Sequence, residues 1–108
     1  MALFLIALHR PNGWEGTDAD PGMMPDIDAL NDEMVAAGVR VFVGGLQPTS
    51  TSHIIPFQGS EGSGPYLQAD AFVNGFWVLN VADEAEALAW GRKAAAACRG
   101  DVEVRPFH

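Results

Sequence analysis

Gly75-Phe76-Trp77-Val78-Leu79-Asn80-Val81, running straight into Ala82-Asp83-Glu84-Ala85-Glu86, is the stretch from which the architecture of this chain can be worked out. Phe76 to Val81 is apolar on both alternating faces except at Asn80, which predicts a strand inside a sheet with cover on both sides. Asp83 stands where an N-cap accepts a backbone N–H. Glu86 follows three residues later, in the reciprocal position of a capping box. The helix that starts there runs to about Cys98 and stops near Gly100. Beyond it, Val102 and Val104 alternate with Asp101, Glu103 and Arg105, the pattern of a strand with one wet face.

The beginning of the chain has the same order. Ala2-Leu3-Phe4-Leu5-Ile6-Ala7-Leu8 is an unbroken apolar run, again a strand covered on both faces. His9-Arg10-Pro11-Asn12-Gly13 is expected to break it, and a polar loop follows to Gly22. Pro25 suits a first helical turn, where its missing N–H has no intrahelical partner to lose, and Asp26 and Asp28 suit the positive end of the helix dipole. Ile27, Leu30, Met34 and Val35 form an apolar stripe, and Gly38 closes the helix as a left-handed cap. Val39 to Val43 alternates, with three valines on one face and Arg40 and Phe42 on the other, as an edge strand does.

An arm of about residues 48–74 is inserted between the two halves. Ser52 to Gln58 reads as a short extended piece interrupted at Pro56, and Gly59 to Gly64 as the tip of a hairpin. Gly44-Gly45 carries no phosphate-binding signature and reads as a bulge or a close approach of backbones. The order is therefore β-α-β, arm, β-α-β in one domain, 1–108. It predicts an α+β fold of ferredoxin-like type, a split β-α-β with a four-stranded antiparallel sheet and two helices on one face. In that topology the first and third core strands are central and the others are edges, which matches the two continuous and two alternating strands. Helices cover one face only. The second apolar face requires a partner, and a homodimer packed through it is the expectation.

Composition narrows the function. A net charge of −8, with only six scattered Lys and Arg, leaves no stripe that could track phosphates, so nucleic acid is not an expected partner. The single Cys98 cannot form an internal disulfide and suits a reducing cytoplasm. The opening apolar run is too short for a membrane span and lacks the flanks of a signal peptide, so no membrane association is expected. There are no paired cysteines with zinc spacing and no nucleophile elbow, and neither a metal nor a cofactor is implied.

Two motifs add a family expectation. Gly44-Gly45-Leu46-Gln47-Pro48-Thr49-Ser50-Thr51 and Ser63-Gly64-Pro65-Tyr66, taken with the core strand after them, resemble the YCII-related family, in the branch named for an Asp-Gly-Pro-Phe motif. The resemblance extends from the first strand to Val102-Glu103-Val104-Arg105-Pro106. It implies a dimer of the ferredoxin-like type. It also implies a protein partner in transcription regulation, since members of this branch are often encoded beside alternative sigma factors. The chain departs from the family in three places. Ser63 replaces the Asp of the signature turn, Tyr66 replaces its Phe, and the histidine associated with early helix one falls at about Ile27. An isoleucine cannot move protons, so that acid–base dyad is not carried over.

Any surviving acid–base chemistry falls to His9 or His53 with Asp28 or Asp70, because a histidine and a carboxylate can divide proton transfer near neutral pH. His9 follows a buried strand, where clefts gather, or is a loop histidine bonded to backbone. His53 is a surface or interface residue, or one half of such a pair. Arg10, Trp14, Met24, Tyr66 and Trp77 are candidates for ligand contact. Trp14 is an aromatic lid or a loop anchor, Met24 a pocket wall or a helix staple, Tyr66 a ring with a hydroxyl for a ligand, and Trp77 core or interface. The site is expected near the end of the first strand. The preferred function is a small-molecule-binding or regulatory dimeric module. The alternative is a cofactor-free isomerase or lyase using a His/Asp pair.

Overall fold

The computed structural model describes all residues, Met1–His108. Six strands and two helices are present: β1 (Ala2–Pro11), α1 (Met23–Ala36), β2 (Arg40–Gly45), β3 (His53–Ile54), β4 (Gly62–Ser63), β5 (Ala71–Val81), α2 (Glu84–Cys98) and β6 (Asp101–Pro106), with short 3-10 turns at Gly16–Asp18 and Thr49–Thr51. β2, β5, β1 and β6 form a four-stranded sheet in that order, antiparallel throughout. The two continuous apolar strands are its centre and the two alternating strands its edges, as the pattern required. The architecture is α+β, with the helix–strand order and sheet order of a ferredoxin-like fold.

Both helices pack on one face. Phe4, Ile6 and Leu8 of β1 and Trp77, Leu79 and Val81 of β5 point toward them and join Leu30, Met34, Trp90 and Ala94 in one buried cluster. Alanine-rich α2 lies close to the sheet; a Cβ on Gly91 would fall 2.6 Å from Val104 Cγ2. Its N-cap bond forms as expected, with the Asp83 carboxylate accepting the Glu86 N–H at 2.9 Å, while the Glu86 carboxylate reaches one residue past the cap and accepts the N–H of Ala82 at 3.0 Å. α1 begins two residues before Pro25, which keeps proline in the first turn, and Gly38 takes a left-handed φ of 71°.

The other face of the sheet carries Leu3, Leu5, Val73, Phe76, Val78 and Phe42. Leu3, Val73 and Phe42 are 43%, 39% and 55% exposed.

Several local expectations need correction. β1 does not end at His9 but continues through His9-Arg10-Pro11, because β5 extends back to Ala71 and pairs with all three. The third core strand therefore starts at Ala71, not Phe76, and the segment between sheet strands ends at Asp70. The valines of β2 do not share a face. An irregularity between Arg40 and Phe42 shifts the register, leaving Val41 58% exposed while Val39 is buried. Val35 also stands in solvent, at 55% exposure, since the sheet lies under Leu30 and Met34. α2 stops where expected, but Arg99 holds the left-handed φ of 50°. Gly100 serves another end: a Cβ there would lie 2.9 Å from both Arg10 Nη1 and Leu8 Cδ1.

In the segment between β2 and β5, β3 and β4 pair as a small hairpin, His53 opposite Ser63 and Ile54 opposite Gly62. The Ser63-Gly64-Pro65-Tyr66 turn is held by the Gly64 N–H donating to the Ser52 carbonyl at 2.9 Å, with Gly64 at φ 90°. Backbone geometry at the glycine shapes this turn.

Candidate functional site

The clearest site for a small molecule is a cleft of about 240 Å³ between α1 and the sheet. Leu8, Met24, Ile27, Val43, Trp77 and Cys98 supply its apolar lining, and Gly44, Gly45 and Gly75 bring the backbone of the β2–β5 seam to its edge. Of the three, Gly75 is the one that the close approach of the strands requires. A Cβ on Gly75 would lie 2.8 Å from the Gly44 carbonyl oxygen and 3.3 Å from Gly45 Cα. The close approach expected of Gly44-Gly45 is therefore real, with Gly75 as the residue opposite.

Asn31 and Asn74 are the polar members of this cleft, and the sequence reading missed both; Asn31 is the one held in a side-chain network. Its Oδ1 accepts from Trp77 Nε1 at 3.0 Å and from Arg40 Nη1 at 3.3 Å, and its Nδ2 donates to the Ile27 carbonyl at 3.1 Å. One amide hydrogen of Asn31 remains uncommitted. Asn31 lies four residues after Ile27, one helical turn on the same face, and that i, i+4 spacing was the available signal. Trp77, 3% exposed, is both core and cleft wall. Met24 reaches the cleft but is 54% exposed, while Met23, its neighbour, is buried.

A second, more polar recess of about 450 Å³ lies between the loop after β1 and the loop after β2, lined by Asn12, Trp14, Leu46, Thr49 and Phe72 among others. Only three of its eleven lining residues are hydrophobic, against seven of twelve in the cleft. The cleft is the better candidate because an apolar wall gains free energy by shedding water onto a ligand, and one or two polar groups then orient it.

His9 and Asp70 come together in a third recess, about 250 Å³, with Arg10, Arg99 and Asp101. No hydrogen bond links the histidine to the aspartate. His9 lies within β1, opposite Val73 and Asp101, on the face away from the helices. Asp28 is exposed on α1 and His53 exposed on β3, and neither lines any of these three recesses. Tyr66 is 81% exposed on the turn after β4 and also lies outside them. No cluster of three His, Cys, Asp or Glu side chains is placed to hold a metal ion.

Arg10, expected at the ligand, is 2% exposed and engaged with the fold. Nη1 donates to the carbonyls of Cys98 at 2.5 Å and Arg99 at 3.2 Å, Nη2 approaches the Met23 sulfur at 3.6 Å, and Nε has no partner. The guanidinium thus sits at the C-terminal end of α2, where unpaired carbonyls and the helix dipole favour a cation. Trp14 covers it, with the guanidinium carbon 4.1 Å from the ring centroid, so Trp14 is an anchor of its loop on a buried cation. Burial lowers the Arg10 pKa from its ordinary value, against a smaller opposing pull from the Cys98 thiol. Burial likewise raises the Cys98 thiol, more than Arg10 and Arg99 lower it, which makes Cys98 a poor nucleophile at neutral pH. Arg99 completes the corner by binding Asp20 at 2.9 Å and Asp26 at 2.8 Å, which joins the end of α2 to the start of α1.

No protein-family model matches the chain, and no curated protein matches it significantly.

Proposed function

We propose that this protein is a YCII-related, Asp-Gly-Pro-Phe-branch module that binds a small organic molecule in the cleft between α1 and the sheet. The observation that carries the reading is the cleft itself: about 240 Å³, largely apolar, with the Asn31 amide on its wall. A molecule of a few to about ten heavy atoms with one hydrogen-bond acceptor suits that lining. Ile27, standing where the family places its histidine, gives the cleft a wall without a proton donor. That favours binding or a regulatory role, including contact with a transcription-related protein partner, over turnover. The test is a two-dimensional NMR titration with p-cresol and benzoate as probes. Shifts confined to Ile27, Asn31 and the Trp77 indole support the cleft. Shifts scattered over the surface, or none at millimolar probe, would overturn it.

The working unit in this proposal is a homodimer with the two bare sheet faces packed together. Its support is the apolar row of Leu3, Val73, Phe42, Phe76 and Val78, which helices do not cover. Sedimentation velocity of the wild type and of Phe42→Asp tests it: the wild type should run as a dimer and the variant as a monomer. A second reading, a cofactor-free isomerase or lyase, rests on His9 and Asp70 lining one recess. Its mark is a turnover that His9→Ala abolishes; unaltered turnover in that variant removes it.

A further inference from the structure

We infer that the hairpin segment between β2 and β5 is a docking arm for a second copy of this chain, gripping the partner beyond the sheet face. This rests on the homodimer proposed above and extends its interface to residues 53–67. The arm carries an unusual density of solvent-exposed apolar groups: Ile55 is 76% exposed, Phe57 98%, Tyr66 81% and Leu67 68%. Their own hairpin cannot bury them, because β3 and β4 are two residues each and pair only with one another. An isolated hairpin of that length has no independent stability in water, so its apolar residues need another surface.

The size of the exposed surface fits a second copy. The chain exposes 7130 Å², whereas a monomer of 11.5 kDa is expected to expose about 5,800 Å². The difference, about 1,300 Å², exceeds the roughly 800 Å² that each partner contributes to a standard interface and falls in the range of obligate dimers. The shape agrees. The molecule is a slab of 45 × 37 × 18 Å with a radius of gyration of 15.2 Å, against about 13 Å for a compact domain of this length.

Charge also selects the occupant. A chain of net charge −8 can approach its own copy only through surfaces that carry little of that charge. Gln47 to Ala69 contains one carboxylate, Glu61, and no Lys or Arg. On the bare face of the edge strand β6, Glu103 is paired with Arg105 at 2.6 Å. The acidic residues of the helices, Asp28, Asp32 and Glu84 among them, lie on the opposite layer. A two-fold arrangement would use each arm once against the other protomer. The arm root, Leu46 to Ser50, also forms one wall of the 450 Å³ recess under Trp14, so seating the arm would set the shape of that recess.

The test is sedimentation equilibrium on three proteins: the wild type, Phe42→Asp, and the double variant Ile55→Ser/Phe57→Ser. Both arm positions are solvent-exposed in the single chain, so the double variant folds, as circular dichroism will check. The expected result is a dimer in the wild type and a dissociation constant raised at least tenfold in the double variant. Hydrogen exchange should show residues 53–67 protected in the dimer and unprotected in the Phe42→Asp monomer. A double variant that dimerises as tightly as the wild type overturns the arm and leaves the sheet-face dimer standing. A wild type that stays monomeric at all concentrations overturns both.

Discussion

Replacing Gly75 with alanine puts one methyl group into the seam between β2 and β5. That methyl has nowhere to go: it would sit 2.8 Å from the Gly44 carbonyl oxygen and 3.3 Å from Gly45 Cα, both backbone atoms that no rotamer change can move. An ordinary contact needs at least another half ångström. The edge strand must therefore shift, which strains the Gly45–Gly75 and Gly44–Phe76 pairs of the ladder. Overpacking of this kind costs about 1–3 kcal/mol. Alanine returns roughly 0.4–1 kcal/mol by restricting the unfolded chain. The net loss is about 1–2 kcal/mol, which for a domain of this length lowers the midpoint of thermal unfolding by roughly 5–15 °C. Two neighbours provide the controls. A Cβ on Gly45 meets nothing within 4 Å, and one on Gly44 meets only the Phe42 ring, at 3.2 Å, on an exposed edge where the ring can turn. Thermal unfolding followed by circular dichroism, at one protomer concentration because a dimer's midpoint depends on it, should rank Gly75→Ala far below the other two. If Gly75→Ala melts with the wild type, or Gly45→Ala falls as far, the close approach is not what holds this seam and the cleft edge is wrongly drawn.

Three further outcomes are expected. Asp83→Ala removes the acceptor for the Glu86 N–H and should cost about 1 kcal/mol in urea unfolding, with faster amide exchange in the first turn of α2 and not elsewhere. Stability should decline as pH rises above about 8.5, because the unfolded thiol ionises at its ordinary value while burial keeps the folded Cys98 protonated. The unfolded state then binds fewer protons than the folded one; Cys98→Ala should flatten the decline between pH 8 and 10 in chemical denaturation. Trp77→Phe deletes the donor to Asn31 and part of a buried ring, and should cost about 2 kcal/mol while weakening any probe bound in the cleft. An unchanged stability in that variant would show that Asn31 is satisfied without the indole.

The candidate site was legible in pieces. Met24 and Trp77 were singled out and do line the cleft, but for different reasons: one is a half-exposed apolar side chain at a helix start, the other a central-strand ring. His9 and Asp70 were paired on chemical grounds and share a recess, though not a hydrogen bond. Asn31 went unseen because a single amide on an amphipathic helix looks like any solvated polar residue. Its meaning depends on an indole 46 residues away. Arg10 was a candidate for ligand contact, and charged residues are rarely fully buried. The structure instead turns it toward the end of α2, a helix whose carbonyls lie 88 residues further along the chain.

Periodicity was sufficient for the element order, the antiparallel sheet and the choice of central and edge strands, because burial on one or two faces leaves its mark residue by residue along a strand. Capping was equally local: Asp83 and Gly38 act within their own helix ends. Position along the sheet was another matter. Where β1 and β5 end depends on how long their partners run, and the irregularities beside His9 and Val41 exist only as mismatches between two strands. A bulge changes which face every following side chain takes, so Val41 left the core although its spacing was right. The cleft, the buried cation and the bare face arise the same way, from surfaces brought together by chain segments far apart in sequence.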